Sequence, residues 1–240
     1  MTYKIPFFTL SLLIIAFLSC QTTSVRISNL NPEEIDSMQV MRPYAYLDLI
    51  GADGIDGDTS TKVSILMEDN IMDALEEVIP EKIAMQYFKP HKKEFREIDS
   101  CLDLIKKKVF ASSETSIYIP LPLREAMDRE SIKYLLCVQA EGYQRTRKNY
   151  RNAKTVAIIG GTLGTILGNG WETEIPLKGH AFLTAFIIDR RKNRIAFFKE
   201  IEMKEKLIID PINVKKTIIQ LFDGYFYRYK DGAFLETEKK

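Results

Sequence analysis

Histidine, cysteine and excess charge are scarce in this sequence, and each shortage excludes a class of protein. Two histidines leave little room for a histidine-rich metal site, and three cysteines are too few for a small disulfide-stapled domain. The 34 basic and 33 acidic residues leave a net charge of +1, without the basic excess of a dedicated nucleic-acid-binding protein. The patterns of a serine-hydrolase elbow, a zinc-protease helix and a phosphate-binding loop are missing. The 240 residues, 45% of them hydrophobic, are enough to bury one sizeable core.

The N-terminus carries a short apolar segment that ends in a cysteine. Residues 5–18 are almost wholly apolar, and as a helix they would span about 21 Å, less than the hydrocarbon core of a bilayer. Length and flanks therefore predict a secretory signal peptide rather than a permanent membrane helix. Ser19 directly precedes Cys20, and a polar stretch follows at once. This arrangement resembles the signal of bacterial lipoproteins, in which a peptidase cuts before a cysteine that carries diacylglycerol.

The resemblance implies a signal peptide at residues 1–19 and a lipid on Cys20, the first residue of the mature chain. A triacylated cysteine supplies more than one acyl chain, which is the condition for stable anchoring. Gln21 stands where an Asp would signal inner-membrane retention, so the outer membrane of the cell envelope is favoured. Residues 20–42 are polar and predict a tether between lipid and domain. The alternative is an ordinary signal peptide or short anchor with an incidental cysteine.

The remaining sequence, residues 43–240, predicts one α/β domain with a mixed sheet, flanking helices and a C-terminal hairpin plus helix. Aromatic and β-branched runs predict strands, and apolar residues at helical spacing predict helices. The predicted strands are 44–50, 134–140, 181–188 and 194–201; the predicted helices are 66–89 with a break at Pro80, 94–110, 123–129 and a last one from Asp210-Pro211 to Asp223-Gly224. Asp69 and Asn70 are the expected caps of the first helix.

The order of these elements resembles a group of envelope lipoproteins that includes the curli-secretion lipoprotein and the lipoprotein activators of penicillin-binding proteins. In that group a strand like 134–140 precedes a hairpin like 181–201, and a terminal helix packs back onto the sheet. The first arm of the hairpin ends in an Asp, here Asp189. The resemblance implies the same fold and transfers no functional residue.

The most unusual segment joins a basic stretch to a glycine-rich apolar insertion at 155–170. The basic residues are Arg145, Arg147, Lys148, Arg151 and Lys154, the glycines that recur every four residues are Gly160, Gly164 and Gly168, and Trp171 follows. Three interpretations stay open: a long loop whose apolar residues cover the sheet, contact with or insertion into a membrane, and self-association. Trp171 has two interpretations as well, an anchor at a membrane interface or a side chain that fills the core.

An acidic turn and two histidines are the candidate metal ligands. Asp53, Asp56 and Asp58 lack the spacing of a calcium-binding loop and indicate a plain acidic turn. Neither His91 nor His180 has an acidic neighbour at a metal-ligand spacing. We therefore expect no metal and no cofactor.

Two cysteines remain besides Cys20. The helical pattern around Cys101 and the buried strand around Cys137 predict two buried thiols. The alternative is a disulfide between them, since the envelope is oxidising. A catalytic cysteine is not expected, because neither histidine is a recognisable base partner.

These observations together predict a lipid-anchored envelope protein that is not an enzyme. We expect an assembly or accessory factor that binds the bilayer through Cys20, binds another envelope protein or itself, and binds no nucleic acid. The first alternative is a subunit of an oligomeric membrane pore or secretion channel that inserts residues 145–171. A second alternative is a hydrolase with a non-standard site, which requires acidic or hydroxyl side chains to converge in one cleft.

Overall fold

An eight-stranded mixed sheet with helices on both faces organises the protein. The computed structural model describes residues 24–111, 116–166, 176–204, 207–230 and 233–235. The strands of the sheet are β1 (Ser24–Ser28), β2 (Ser37–Met41), β3 (Tyr44–Gly51), β4 (Gly54–Ile55), β5 (Ala84–Phe88), β6 (Tyr134–Arg145), β7 (Gly179–Asp189) and β8 (Arg194–Met203). The helices are α1 (Gly57–Val78), α2 (Lys92–Ala111), α3 (Leu121–Arg129), α4 (Arg147–Ile166) and α5 (Pro211–Phe222). Two short strands, β9 (Arg228–Lys230) and β10 (Ala233–Leu235), pair with each other.

The long strand β6 is the centre of the sheet. On one side β7, β8 and β1 follow it, each antiparallel to its neighbour. On the other side β2 pairs with the first part of β6 and β3 with the last part, both in parallel. Pro43 lies between β2 and β3, and a proline has no backbone N–H for a strand ladder. β5 completes the sheet in parallel with β2.

The predicted tether at 20–42 is wrong from residue 24 onward. Ser24–Ser28 pairs with β8, and Ser37–Met41 lies between β5 and β6. Met38, Val40 and Met41 are fully buried, so this polar-looking stretch contributes to the core. The physical reason is that each segment pairs with strands far along the chain: β1 pairs with β8, and β2 pairs with β5 and β6.

Alternation along the strands divides the core into two layers. In β6, Tyr134, Leu136 and Val138 pack on one face, with residues of α1 and α5. Leu135 and Cys137 pack on the other face, with residues of α2 and α3. A sheet with both faces occupied explains why β6 reads as a continuous apolar run. The predicted single α/β domain with a mixed sheet is confirmed.

Capping side chains set the helix ends. α1 begins after Asp56, whose Oδ1 accepts a hydrogen bond from the Thr59 backbone N–H at 3.0 Å. The expected cap at Asn70 is wrong, because Asn70 is buried in the helix and its Nδ2 donates to the Ile209 carbonyl at 2.8 Å. In α5 the expected cap is confirmed, since Asp210 accepts from the Ile212 N–H at 2.9 Å.

The two ends of the sheet differ in what they carry. We call the end where β6 stops and β7 starts the α4 end, because α4 follows β6 there. The opposite end, with the β7–β8 turn at 190–193, is the hairpin end. β1 pairs antiparallel with β8, with Ser24 opposite Glu200 and Ser28 opposite Phe197. The chain therefore enters β1 from the α4 end.

Candidate functional site

The first turn of α4 is fastened to the sheet by hydrogen bonds. The Thr146 backbone N–H donates to the Ile50 carbonyl at 3.0 Å. The Asn149 amide bridges two strands: its Nδ2 donates to the Gly51 carbonyl at 2.8 Å, and its Oδ1 accepts from Arg145 Nη1 at 2.8 Å. These bonds fix the direction in which α4 leaves the sheet.

Arg145 belongs to this junction rather than to an exposed basic patch. Its side chain is half-buried, and its guanidinium carbon lies 5.2 Å from the centre of the Tyr143 ring. Its Nη1 is engaged with Asn149. Of the five predicted basic residues, Arg145 therefore helps to position α4, and the other four are exposed.

Arg147, Lys148, Arg151 and Lys154 form the exposed basic face of α4. Three of them, Arg147, Arg151 and Lys154, recur at spacings of four and three residues and therefore lie on one side of the helix. Within the described parts of the chain, no carboxylate lies within 4 Å of any of the four. Their charge is available to a partner.

Apolar side chains follow the basic face in the next turn of α4. Val156 is 70% exposed, Ile158 52% and Ile159 54%. The interpretation of residues 155–170 as a loop is therefore wrong up to Ile166, since the chain is helical to that residue. Gly160 and Gly164 lie in the helix, whereas Gly168 and Trp171, like the predicted lipid site Cys20, lie outside the described residues.

No helix in the described ranges combines the length and the hydrophobicity needed to cross a bilayer.

Apart from α4, a cluster of polar side chains lies on the sheet face that α2 partly covers. Lys106 of α2 contacts both Glu141 of β6 and Glu200 of β8, each at 3.1 Å between Nζ and Oε2. The Thr184 hydroxyl donates to the same Glu200 oxygen at 2.9 Å. Because the side chain of Glu200 is 13% exposed, this lysine compensates a charge that is largely removed from water.

The same face continues with two further polar pairs. His180 Nε2 lies 2.7 Å from Glu202 Oε1, and Lys204 contacts the other oxygen of that carboxylate. Tyr46 donates to Asp99 at 2.5 Å, and burial raises the pKa of both side chains. Beside them an open groove of about 670 Å³ is lined by Asp103, Lys106, Lys107, Phe110, Ala111 and Glu141.

This polar face was not predicted from the sequence, although the strands carry a signal for it. Polar residues alternate with apolar ones at the α4 end of three strands: Gln139, Glu141 and Tyr143 in β6, His180 and Thr184 in β7, and Glu200 and Glu202 in β8. Period-two alternation places each set on one face of the sheet. In sequence these residues are far apart, and only the pairing of β6, β7 and β8 brings them together.

The other sequence candidates have structural roles in the described chain. Asp56 caps α1, and no group of three or more metal-ligating side chains is found among the residues that the structure describes. Cys101 and Cys137 are both buried and unpaired by disulfide, which confirms the prediction of two thiols. Burial raises the pKa of each thiol, so neither is activated as a thiolate.

Comparison with known proteins yields structural similarity only. No protein-family model and no curated protein matches the chain. The structure is similar to the PelC dodecamer from Paraburkholderia phytofirmans, with a TM-score of 0.37 and 8% identity over 84% of this chain and 95% of that one. It is also similar to the lipoprotein GNA1162 from Neisseria meningitidis, with a TM-score of 0.33 and 8% identity over 77% of this chain and 91% of that one. A third similar structure is the LpoB C-terminal domain from Salmonella enterica, with a TM-score of 0.27 and 7% identity over 71% of this chain and 84% of that one. At these values the similarity carries no functional information.

Proposed function

We propose that the protein is a lipid-anchored accessory factor of the bacterial envelope that acts through protein contacts and catalyses no reaction. The observation that carries the proposal is the position of Cys20, between an apolar signal-like segment and the first strand of the domain. Ser24 already belongs to β1, so only residues 21–23 separate Cys20 from the sheet. A lipid on Cys20 would hold the domain directly at the bilayer surface.

The polar face of the sheet supports a role in binding rather than in catalysis. Three of its carboxylates are paired with a lysine: Glu141 and Glu200 contact Lys106, and Glu202 contacts Lys204. A general acid or nucleophile needs a reactive group that is free to exchange protons or attack a substrate. Paired charges beside the exposed ring of Phe110 instead suit the polar and aromatic character of a protein-binding surface.

Metabolic labelling with a fatty-acid analogue tests the anchor. The wild-type protein is expected to incorporate the label, and Cys20→Ala is expected to lose it completely. Cys101→Ala is the matched control, because it removes a cysteine that is buried in the domain and should keep the label. Equal labelling of wild type and Cys20→Ala would contradict the proposal. Fractionation of the labelled cells then tests the outer-membrane location that Gln21 favours.

Site-specific photocrosslinking in the native envelope tests the accessory role. A photoreactive phenylalanine analogue at Phe110 samples the groove beside α2, and the same analogue at Ile212 samples an exposed position on α5. We expect Phe110 to give a discrete adduct with one envelope protein or with a second copy of the chain. Identical adduct patterns at both positions would show that the groove is not a specific contact surface.

A further inference from the structure

We infer that the exposed face of α4 between Arg147 and Ile159 rests on the anionic surface of the bilayer that holds the lipid. This inference rests on the proposed function, because the lipid on Cys20 determines where the bilayer lies. Its own observations are the direction of β1, the distance between β1 and α4, and the chemistry of the α4 surface.

The direction of β1 brings the predicted lipid to the α4 end of the sheet. β8 runs from the hairpin end to the α4 end, and β1 is antiparallel to it with Ser24 opposite Glu200. β1 therefore begins toward the α4 end and runs toward the hairpin end. Four residue steps separate Cys20 from Ser24, and these can span at most about 14 Å.

The start of α4 lies further along the sheet toward the same end. The strand pairing places Ser24 level with Gln139 of β6, three strand spacings or about 14 Å away. β6 continues for six more residues, about 20 Å, to Arg145, and α4 follows after Thr146. The four steps from Ser24 to Cys20 can cover most of that length, so a bilayer that holds the lipid on Cys20 lies within reach of α4.

The side chains of α4 match an anionic lipid surface better than an acidic protein. Arg147, Lys148, Arg151 and Lys154 present four exposed cations without carboxylate partners in the described chain, and cations near an anionic leaflet are attracted to it. Ile158, four residues after Lys154 and seven after Arg151, lies on the same side of the helix and is more than half exposed. A cationic stretch followed by apolar side chains is the pattern of helices that bind at the headgroup boundary.

Aspartates at the same end of the sheet oppose this attraction without removing it. Asp53, Asp56 and Asp58 follow β3 near the start of α4, and none of their carboxylates lies within 4 Å of the four cations. Asp56 is occupied as the cap of α1. The contact should therefore depend on salt, because it is a balance of surface charges.

Site-specific quenching by lipid tests the inference on the full, lipid-modified chain. Ile158→Cys carries an environment-sensitive dye, and Tyr118→Cys at the hairpin end is the control, since both native side chains are more than half exposed. Labelling is specific because Cys101 and Cys137 are buried. The proteins are reconstituted into vesicles of phosphatidylcholine alone or with phosphatidylglycerol, both with nitroxide-labelled lipid as the quencher.

In phosphatidylglycerol vesicles, the dye at position 158 should be quenched at least about twofold more than the dye at position 118, and salt should reduce the difference. Arg151→Gln with Lys154→Gln should weaken the contact roughly 25-fold, since each cation near an anionic surface contributes roughly fivefold. Lys82→Gln with Lys133→Gln changes the charge equally at the hairpin end and should have no effect.

Two negative outcomes separate the inference from the proposed function. A protein that carries the fatty-acid label but shows equal quenching at positions 158 and 118 overturns the membrane contact alone. Absence of the fatty-acid label overturns both. A crosslink from position 158 to a protein, together with quenching that does not respond to phosphatidylglycerol, would assign α4 to a protein contact and overturn the inference as well.

Discussion

The β7–β8 turn and helix α4, at opposite ends of the sheet, use positive charge in opposite ways. In the turn three consecutive cations have carboxylate partners: Arg190 contacts Asp128 at 2.5 Å, Arg191 contacts Asp189 at 3.6 Å and Lys192 contacts Glu34 at 3.6 Å. The four exposed cations of α4 have no such partner in the described chain. The comparison indicates that the basic residues of the turn stabilise the fold, whereas those of α4 are left available for a partner.

The largest effect should come from the close approach of β6 and β7 at the α4 end. A Cβ atom on Gly142 would lie 2.1 Å from the His180 carbonyl oxygen and 2.5 Å from the Ala181 Cα. Gly142→Ala should therefore lower the free energy of unfolding by about 3 kcal/mol, because backbone must move. Urea denaturation measures the loss. Gly57→Ala, where a Cβ meets nothing within 4 Å, should not lower the free energy of unfolding and should raise it by up to about 1 kcal/mol.

The hairpin end should be sensitive at Asp189. This carboxylate is fully buried and accepts hydrogen bonds from the backbone N–H groups of Arg191 and Lys192 at 2.9 and 3.2 Å. Asp189→Ala leaves both donors without this acceptor and should cost about 2 kcal/mol of unfolding free energy. Asp189→Asn keeps an acceptor oxygen and should recover part of that loss. Equal unfolding curves for the two variants would show that the hydrogen bonds accepted by Asp189 do not stabilise the turn.

A smaller effect is expected at Asn149, which holds the first turn of α4. Asn149→Ala removes the bonds to the Gly51 carbonyl and to Arg145 and should cost about 1 kcal/mol. The loss should be local, so hydrogen exchange should accelerate at the start of α4 while the centre of β6 stays protected. Equal acceleration of hydrogen exchange in α4 and β6 would show that Asn149 does not act locally on the start of α4.

The ion pair at the hairpin end predicts a small stability difference that depends on pH. Hydrogen bonds from Arg190 hold the pKa of Asp128 below its usual value of 3.8. A carboxylate with a lowered folded-state pKa stabilises the protein above its unfolded pKa and loses that contribution as pH falls through the folded value. Asp128→Asn should therefore be slightly less stable than wild type at neutral pH. The difference should start to shrink as pH falls toward 3.8 and disappear below the lowered folded-state pKa. Urea midpoints over this range measure it.

The smallest effect on stability should come from the exposed cations of α4. Arg151→Gln with Lys154→Gln removes no carboxylate contact seen in the described chain and should change the unfolding free energy by less than about 0.5 kcal/mol. The contrast with Asp128→Asn at neutral pH sharpens the comparison of the two ends. A clear loss of stability in the α4 variant would show that these cations are structural.

The elements whose structure is determined by neighbouring residues in the sequence were predicted correctly. The hairpin of β7 and β8 has alternating apolar residues around a polar turn, and α5 has Asp210-Pro211 at its start. Helix α2 follows its apolar periodicity closely. For these segments the residues that determine the structure lie within a few positions of one another.

Elements that depend on distant partners were not predictable in the same way. β1 and β2 look like a polar linker until β8 and β6 pair with them. Asn70 looks like a cap until the Ile209 carbonyl, far along the chain, accepts its amide hydrogen. The polar face around Glu200 has a period-two signal, but its three strands must first be brought into register.

The entry of the chain through β1 also has a mechanical consequence. A lipid on Cys20 would make β1 the link through which any pull on the domain is transmitted. Because β1 lies antiparallel along β8, a pull on its first residue acts along the strand and loads the β1–β8 hydrogen bonds together rather than one after another. Edge strands loaded in this shear geometry resist detachment, so the domain could bear load from a partner without peeling from its anchor.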